Sequence, residues 1–271
     1  MSAETPKPQV DASGPHPARV YDWLLGGEDH YPVDALLGMQ LPEVAKISAR
    51  QNRAFMHRAS VWLAGQGVDQ FLDIGTGIPT APNLHQVVQE INPSARIVYT
   101  DNDPIVLRQA EALLHSTVEG RTDYIEADVR EPRAILERAG RHLDFDRPVG
   151  LSLIALMHLI PDSDDATDPY VIVRTLLDAL APGSYLMLSH ATSDFQQEGE
   201  TSVTHAYATG GIPFRSGTRA EVERFFGGLE LVEPPGLVRV DQWWLPGLAM
   251  PPEESGGPVP VYGGVARVLT R

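Results

Sequence analysis

Three acidic residues that follow apolar segments are the first candidates for binding chemistry. Asp73 lies within FLDIGTGIPT at residues 71–80, Asp101 ends VYTD, and Asp128 follows YIEA. A carboxylate accepts hydrogen bonds from hydroxyl and amino groups and attracts cations. These positions therefore favour a ligand that carries hydroxyls and positive charge.

The glycines beside the first acid narrow the ligand further. Gly75 and Gly77 allow the chain to turn tightly and a ligand to approach the backbone closely. A dinucleotide-binding turn would place glycine where this chain has Thr80, and a phosphate gains nothing from the neighbouring Asp73. The turn therefore disfavours a nicotinamide-dependent dehydrogenase and favours a cationic ligand.

Alternating strands and helices must position these residues. Apolar runs predict strands at residues 70–74, 96–100, 121–126, 149–156, 185–189, 229–232, 237–240 and 261–269. Periodicity and capping signals predict helices at residues 18–25, 32–39, 42–64, 131–139, 168–181 and 218–226, and another that begins at Asp103–Pro104. The glycine turn is also expected to lead into a helix. This order predicts an α/β fold with a mainly parallel, doubly wound sheet, whose ligand lies beyond the carboxyl ends of the first strands.

The chain is expected to divide into three parts. Residues 1–17 contain four prolines among polar residues and predict a disordered or extended arm. Residues 18–66 form a helical cap, and residues 67–271 form the ligand-binding domain. A long connection at 191–217 interrupts that domain, and such connections often cover a substrate site.

Together, the three acidic motifs resemble the cofactor motifs of class I S-adenosylmethionine-dependent methyltransferases. The resemblance implies a Rossmann-like sheet of seven strands, the last antiparallel, and S-adenosylmethionine as cofactor with S-adenosylhomocysteine as product. It implies that the glycine turn contacts the methionine part, that Asp101 binds the ribose hydroxyls, and that Asp128 and the Val129 N–H meet the adenine. The implied cofactor residues are Asp73, Gly75, Thr76, Gly77, Asp101, Asn102, Asp128 and Val129.

Three other segments resemble one bacterial family. They are PARVYDWLLGG at 17–27, QNRAF at 51–55 and PGSYLMLSH at 182–190. They are similar to a bacterial S-adenosyl methyltransferase family formerly classed as a domain of unknown function (DUF574-like). The similarity extends from about residue 15 to the C-terminus and implies the fold and cofactor without an acceptor.

Two histidines are candidates for the methyl-transfer site. His158, in LMHLIPD, resembles the general base of small-molecule O-methyltransferases, and its side chain suits proton transfer near neutral pH. The alternative is that it lines the cofactor or packs beneath a loop. His190 ends a predicted strand at the same cleft and is a substrate candidate, or else a hydrogen-bonded strand-end residue. The nearby acids at 162, 164, 165 and 168 suit Mg²⁺ but are more typical of a solvated surface, so no metal is predicted.

The helical cap and the 191–217 connection supply the remaining candidates. Arg19 is expected to meet the cofactor carboxylate, and Tyr21 to cover the sulfonium with its ring. The alternative is an amphipathic helix with Arg19 on its solvent side. Tyr207 and Arg215 are predicted substrate contacts.

Composition limits the function. The chain has 271 residues, no cysteine, and 21 basic against 36 acidic residues, for a net charge of −15. This charge opposes nucleic acid and anionic membranes, and the missing cysteines exclude iron–sulfur radical chemistry. No apolar run is long enough to span a bilayer, and the first residues lack a signal-peptide pattern, so cytoplasmic location is expected.

The predicted function is S-adenosylmethionine-dependent methyl transfer to an oxygen or nitrogen of a small molecule. The alternative is a non-catalytic regulatory protein that binds S-adenosylmethionine or S-adenosylhomocysteine. The sequence predicts neither the acceptor nor the oligomeric state.

Overall fold

The computed structural model describes residues 13–106, 109, 115–195, 203–253 and 257–270, which form a mixed α/β fold. Three helices come first: α1 (Pro17–Leu25), α2 (Pro32–Gly38) and α3 (Glu43–Gly65). The strands are β1 (Gln70–Ile74), β2 (Arg96–Asp101), β3 (Arg121–Glu126), β4 (Gly150–Leu153), β5 (Tyr185–Ala191), β6 (Glu230–Leu231), β7 (Val238–Arg239) and β8 (Val261–Arg267). The later helices are α4 (Leu84–Gln89), α5 (Pro132–Ala139), α6 (Pro169–Asp178), α7 (Val203–Thr209) and α8 (Arg219–Glu223). Over these ranges no helix combines the length and apolar character needed to cross a membrane.

One mostly parallel sheet organises the fold. Its order is β3-β2-β1-β4-β5-β8-β6, and β7 also pairs with β8. Strands β1 to β5 are parallel, whereas β8 runs antiparallel to β5. The sheet has eight strands, as the apolar runs predict, rather than the seven that the resemblance implies, because β6 and β7 are separate two-residue strands that both pair with β8. The antiparallel last strand is confirmed.

Side chains on the two faces of the sheet pack into two separate apolar cores. Leu72 and Leu151 pack with Ile172 of α6 on one face. Phe71 packs on the other face with Phe55 of α3. Successive residues of a strand point to opposite faces, so the two cores explain why every residue of β1 and β4 is buried.

A third apolar cluster joins the N-terminal helices to α7. Val20 of α1, Leu37 of α2 and Ala49 of α3 pack there with Tyr207 of α7. The second half of α3 instead packs against the sheet through Phe55. Helix α3 thus belongs to both the expected cap and the body, and the division at residue 66 stays a prediction. Residues 1–12 of the expected arm and 196–202 of the expected insertion lie outside the described residues.

Several element boundaries differ from the sequence-based expectation. The glycine turn does not lead directly into a helix: α4 begins only at Leu84, after Pro79 and Pro82. A residue that precedes proline avoids helical backbone, which accounts for the delay. Strand β4 ends at Leu153 rather than 156, because Ala155 has a positive φ of 55° and leaves the extended conformation.

Three predicted helix N-termini are confirmed, and each is capped by the side chain of an aspartate or a threonine. The Asp103 carboxylate accepts from the Ile105 N–H at 2.9 Å, and Asp168 caps α6. Thr218 and Glu221 form a capping box for α8, which gives way to a 3₁₀ turn at Arg224–Phe226. Residues 107, 108 and 110–114, which follow the helix start at Asp103–Pro104, lie outside the described residues.

Candidate functional site

The main cleft opens at the carboxyl ends of the parallel strands and has a volume of about 300 Å³. Nearly all of the predicted cofactor residues line it: Tyr21, Asp73, Gly75, Thr76, Gly77, Asp101, Asn102, Asp128 and Val129. They come from α1 and from the ends of β1, β2 and β3. The cleft thus lies where the strand order reverses between β1 and β4, as expected for this type of sheet.

Two glycines shape the floor of this cleft. Gly75 and Gly77 have φ values of 73° and 68°, which side-chain-bearing residues rarely adopt. A Cβ on Gly75 would lie 2.7 Å from a methyl carbon of Leu156, whereas a Cβ on Gly77 would meet nothing within 4 Å. Gly75 therefore allows close packing within the protein, and Gly77 leaves room for a ligand.

Asp101 connects the turn to the next helix start. Its carboxylate accepts hydrogen bonds from the Gly77 N–H at 2.8 Å and from the Asp103 N–H at 3.0 Å. Each of its oxygens accepts one of these bonds and retains a second lone pair. Burial raises the pKa of Asp101. The buried carboxylate can therefore bind two further hydroxyl donors.

Asp73 is the second buried acid of the cleft. Burial raises its pKa to about 6. Arg53 of α3 also lines the cleft, and its positive charge acts to lower the pKa of Asp73. Its guanidinium donates to the carbonyl oxygens of Thr80 and Pro82 and so holds the loop before α4. Arg53 lies in the QNRAF segment, where neither spacing nor residue type marks it as a site residue.

Asp128 already has a protein partner. The Arg130 side chain donates to both of its carboxylate oxygens, one through Nε at 2.9 Å. Asn102 Nδ2 donates to the same carboxylate at 3.3 Å. The hydrogen bond from Arg130 lowers the pKa of Asp128. Both residues line the cleft, but Asp128 would share its carboxylate between Arg130 and any ligand.

Arg19 does not line the cleft. It is 2% exposed, and its Nε lies 3.4 Å from an Asp34 oxygen and 3.8 Å from an Asp103 oxygen. His16 also contacts Asp103, with Nδ1 at 3.1 Å from the carboxylate. Arg19 therefore lies neither on the solvent side of α1 nor among the residues that face a cofactor. Its buried contacts attach α1 to α2 and to the helix start after β2.

A second cavity of about 180 Å³ adjoins the cleft. Four residues line both spaces: Tyr21, Ala155, His158 and Tyr207. Tyr207, a predicted substrate contact, stacks on Phe214 with ring centroids 4.7 Å apart. The cap, the β4 end and the region after β5 thus form a shared wall between two binding spaces.

His158 is held in one tautomer at this wall. Its Nδ1 accepts a hydrogen bond from the Ala191 N–H at 3.3 Å. Burial and the nearby His190 lower the pKa of His158 well below its usual value, so the ring is neutral. A neutral imidazole whose Nδ1 accepts carries its proton on Nε2. His158 therefore presents an N–H donor, and acting as a base at Nε2 would require loss of the Ala191 bond.

The other predicted substrate residues, His190 and Arg215, line neither space. His190 Nδ1 donates to the Ala191 carbonyl at 2.7 Å. The Arg215 side chain pairs with Asp162 at 3.1 Å and with Glu221, and the Arg215 backbone N–H donates to the His158 carbonyl at 2.8 Å. Both residues thus support the loops that hold His158.

Three of the four acids at 162, 164, 165 and 168 have structural partners. Asp162 pairs with Arg215, Asp165 accepts from the Thr167 N–H at 2.7 Å, and Asp168 caps α6. In the part of the chain that the structure describes, no three His, Asp or Glu side chains are grouped to hold a metal.

Comparisons of this chain with a family model and with solved structures point to the same family. A family model described as S-adenosyl methyltransferase matches residues 3–269. A crystal structure of a DUF574 family protein from Streptomyces avermitilis is 43% identical, with a TM-score of 0.86, and the match covers 96% of this chain and 100% of that one. A putative methyltransferase from Thermobifida fusca is 37% identical, with a TM-score of 0.83 and coverage of 98% and 99%. A comparison with curated proteins finds no matching sequence. The chain belongs to the S-adenosyl methyltransferase family, and its cofactor is S-adenosylmethionine.

Proposed function

We propose that the protein transfers the methyl group of S-adenosylmethionine to an oxygen or nitrogen of a small molecule. The observation that carries this proposal is the wall shared by the cleft and the second cavity. Displacement at a methyl carbon requires donor and acceptor in line and in contact. Two adjoining spaces that meet at Tyr21 and His158 suit that requirement.

The residues of the larger cleft fit S-adenosylmethionine. Asp101 retains lone pairs for both ribose hydroxyls, and the open space at Gly77 admits a ligand against the backbone. Asp73 supplies a buried carboxylate for a positively charged group, which would favour its ionised form. Val129 and Asp128 lie where the adenine is expected, with Arg130 as a further contact in the same wall.

When bound, S-adenosylmethionine would supply an electrophilic methyl group: an acceptor lone pair would form the new bond to carbon while the carbon–sulfur bond breaks and leaves its electrons on the sulfur of S-adenosylhomocysteine. The acceptor proton leaves to water or to a base. Tyr21 and Tyr207 orient the acceptor and exclude water at the junction.

His158 is proposed to position the acceptor by donating from Nε2. The Ala191 N–H bond to Nδ1 supports this donor role over the general-base prediction. A donor interaction would orient an acceptor oxygen so that its remaining lone pair faces the methyl group. Replacing His158 with Gln keeps a donor and should retain most of the activity, whereas loss of a base would reduce kcat and change its pH profile.

Methyl transfer can be tested directly. Purified protein is first titrated calorimetrically with S-adenosylmethionine and with NAD, then incubated with methyl-labelled S-adenosylmethionine and a panel of phenols, carboxylic acids and amines. We expect the protein to bind S-adenosylmethionine but not NAD, and to form labelled product with at least one acceptor. Cofactor binding without transfer to any acceptor class would instead favour the non-catalytic alternative, which no described contact specifically supports.

A further inference from the structure

The second cavity is apolar and bordered by uncharged side chains. Leu24, Phe195, Val203 and Phe214 supply much of its wall, together with the aromatic rings at the junction. None of the described residues that line it is Asp, Glu, Lys or Arg. A charged molecule would lose its hydration there without gaining an opposite charge, and this desolvation is costly. The cavity thus favours neutral molecules.

Asn52 is the most distinctive polar residue at this cavity. It is 2% exposed, and its side-chain Oδ1 is buried without a hydrogen-bond partner. Leaving a buried acceptor without a hydrogen-bond partner is unfavourable. Asn52 lines the second cavity and is not among the residues that line the larger cleft. The Asn52 side chain that carries this unpartnered oxygen therefore borders the acceptor space.

The orientation of the Asn52 amide follows from its neighbour. The Tyr21 hydroxyl has one proton, which it donates to the Ala49 carbonyl at 3.1 Å. It must then accept from Asn52, whose Nδ2 lies 2.9 Å away. This chain of bonds fixes Nδ2 toward Tyr21 and leaves Oδ1 as an acceptor. A ligand that satisfies it must bring an O–H or N–H group.

We propose that the second cavity binds the methyl acceptor as a neutral, largely apolar and aromatic-sized molecule whose O–H or N–H donates to Asn52 Oδ1. The inference rests on the proposed methyl transfer, because it identifies the cavity as the acceptor site. The Asn52 contact is one of recognition and involves no proton transfer. The stacked pair Tyr207–Phe214 and the edge of His158, whose ring centroid lies 4.9 Å from that of Phe214, supply surfaces against which a flat molecule packs.

Binding of simple probes tests this inference without turnover. The protein is saturated with S-adenosylhomocysteine and titrated calorimetrically with 2-naphthol, indole, 2-methoxynaphthalene, 2-naphthoate and 2-naphthylmethylammonium. We expect 2-naphthol or indole to bind about ten-fold more tightly than the methyl ether, since the ether leaves Asn52 Oδ1 unsatisfied. The two charged probes should bind more weakly than 2-naphthol. This comparison needs no substitution.

A pair of neighbouring variants isolates the amide. Asn52→Leu should reduce the preference for 2-naphthol over its methyl ether to about two-fold or less. Gln51→Met is the matched control, because Gln51 is 1% exposed and also has an unpartnered side-chain oxygen, but it does not line the cavity. The control should keep the preference, and both variants should keep their affinity for S-adenosylhomocysteine.

The outcomes separate the two proposals. Tighter binding of a charged probe than of 2-naphthol, an unchanged preference in Asn52→Leu, or no binding of any neutral probe to the S-adenosylhomocysteine complex would overturn the acceptor class. Binding of 2-naphthol through Asn52 without labelled product from any acceptor panel would support the recognition site and contradict methyl transfer.

Discussion

Asp101 links the glycine turn, the end of β2 and the helix start at Asp103 through two backbone hydrogen bonds. Its remaining lone pairs suit the ribose hydroxyls. We expect Asp101→Ala to lower the affinity for S-adenosylhomocysteine at least ten-fold, because hydrogen bonds to a charged group contribute about 1.5–3 kcal/mol each. Isothermal titration calorimetry measures the change. Glu126→Ala is the control, since Glu126 pairs with Asp101 in the sheet but is exposed and lies outside the cleft. Equal losses in both variants would contradict a specific role for Asp101.

We expect Asp73 to make cofactor binding depend on pH. Its pKa in the folded protein is about 6, above the ordinary value of 3.8, so the folded state holds this proton more tightly than the unfolded state. Its contribution to the free energy of unfolding therefore falls as the pH rises from about 4 to about 6. A cationic ligand requires the carboxylate, so binding should change in the opposite direction.

We expect the affinity for S-adenosylmethionine to fall about ten-fold between about pH 7.5 and about pH 5, as Asp73 becomes protonated. Asp73→Asn should bind more weakly at the higher pH and show a smaller change between the two. Asp101 also has a raised pKa, so some dependence should persist in the variant. Calorimetric titrations at the two pH values check the result. An undiminished pH dependence in Asp73→Asn would assign it to other groups.

At the level of elements, the glycine turn is a site of close packing. Gly75→Ala combines an unfavourable positive φ with a Cβ 2.7 Å from Leu156, a residue of the cofactor cleft. We expect it to weaken S-adenosylhomocysteine binding at least ten-fold. Gly67→Ala is the matched control: its φ is 89°, and its Cβ would meet nothing within 4 Å. Both should lower the free energy of unfolding by about 1 kcal/mol from backbone strain, but only Gly75→Ala should affect the cofactor.

The buried charge of Arg19 attaches helix α1 to α2 and to the helix start at Asp103. Arg19 lies near Asp34 and Asp103, and its Nη2 donates to the Gly14 carbonyl at 3.0 Å. Arg19→Met should lower the free energy of unfolding by about 3–5 kcal/mol, because it removes the buried positive charge that lies near the Asp34 and Asp103 carboxylates. Urea denaturation measures this. The control Arg174→Met removes an exposed ion pair and should cost less than about 1 kcal/mol. A small effect at Arg19 would show that the Asp34 and Asp103 carboxylates are stabilised by their other hydrogen bonds.

Elements with strong local signals could be predicted from sequence, and those shaped by distant contacts could not. The caps at Asp103 and Asp168 depend on the residue itself and the proline that follows, so pattern alone located them. The end of β4 depends on the positive φ of Ala155, and alanine gives no indication of that conformation in the sequence. The short strands β6 and β7 exist because they pair with β8, a partner distant in sequence.

The same distinction applies to the site. Asp73 and Asp101 lie at the carboxyl ends of β1 and β2, and Asp128 follows β3, so the parallel sheet brings them to one cleft. The burial of Arg19 and the orientation of the Asn52 amide depend on residues from other helices. From sequence, Arg19 is predicted to contact the cofactor and Asn52 is given no role. The residues that determine their surroundings, Asp34 and Asp103 for Arg19 and Tyr21 for Asn52, are distant in the chain.

Across the whole molecule, the cofactor cleft is closed by the N-terminal helices as well as by the sheet. Tyr21 of α1 and Arg53 of α3 line it together with Asp101 of β2, and the second half of α3 packs into the sheet core. Unfolding of the cap would therefore remove part of the cofactor site.

We expect one thermal transition by circular dichroism and by tryptophan fluorescence, with Trp23 reporting on the cap and Trp243 on the sheet core. S-adenosylhomocysteine at a hundred times its Kd should raise the Tm by about 5 °C by both probes. Two transitions, of which the cofactor shifts only one, would instead show that the cap folds independently and that Tyr21 contributes little to binding.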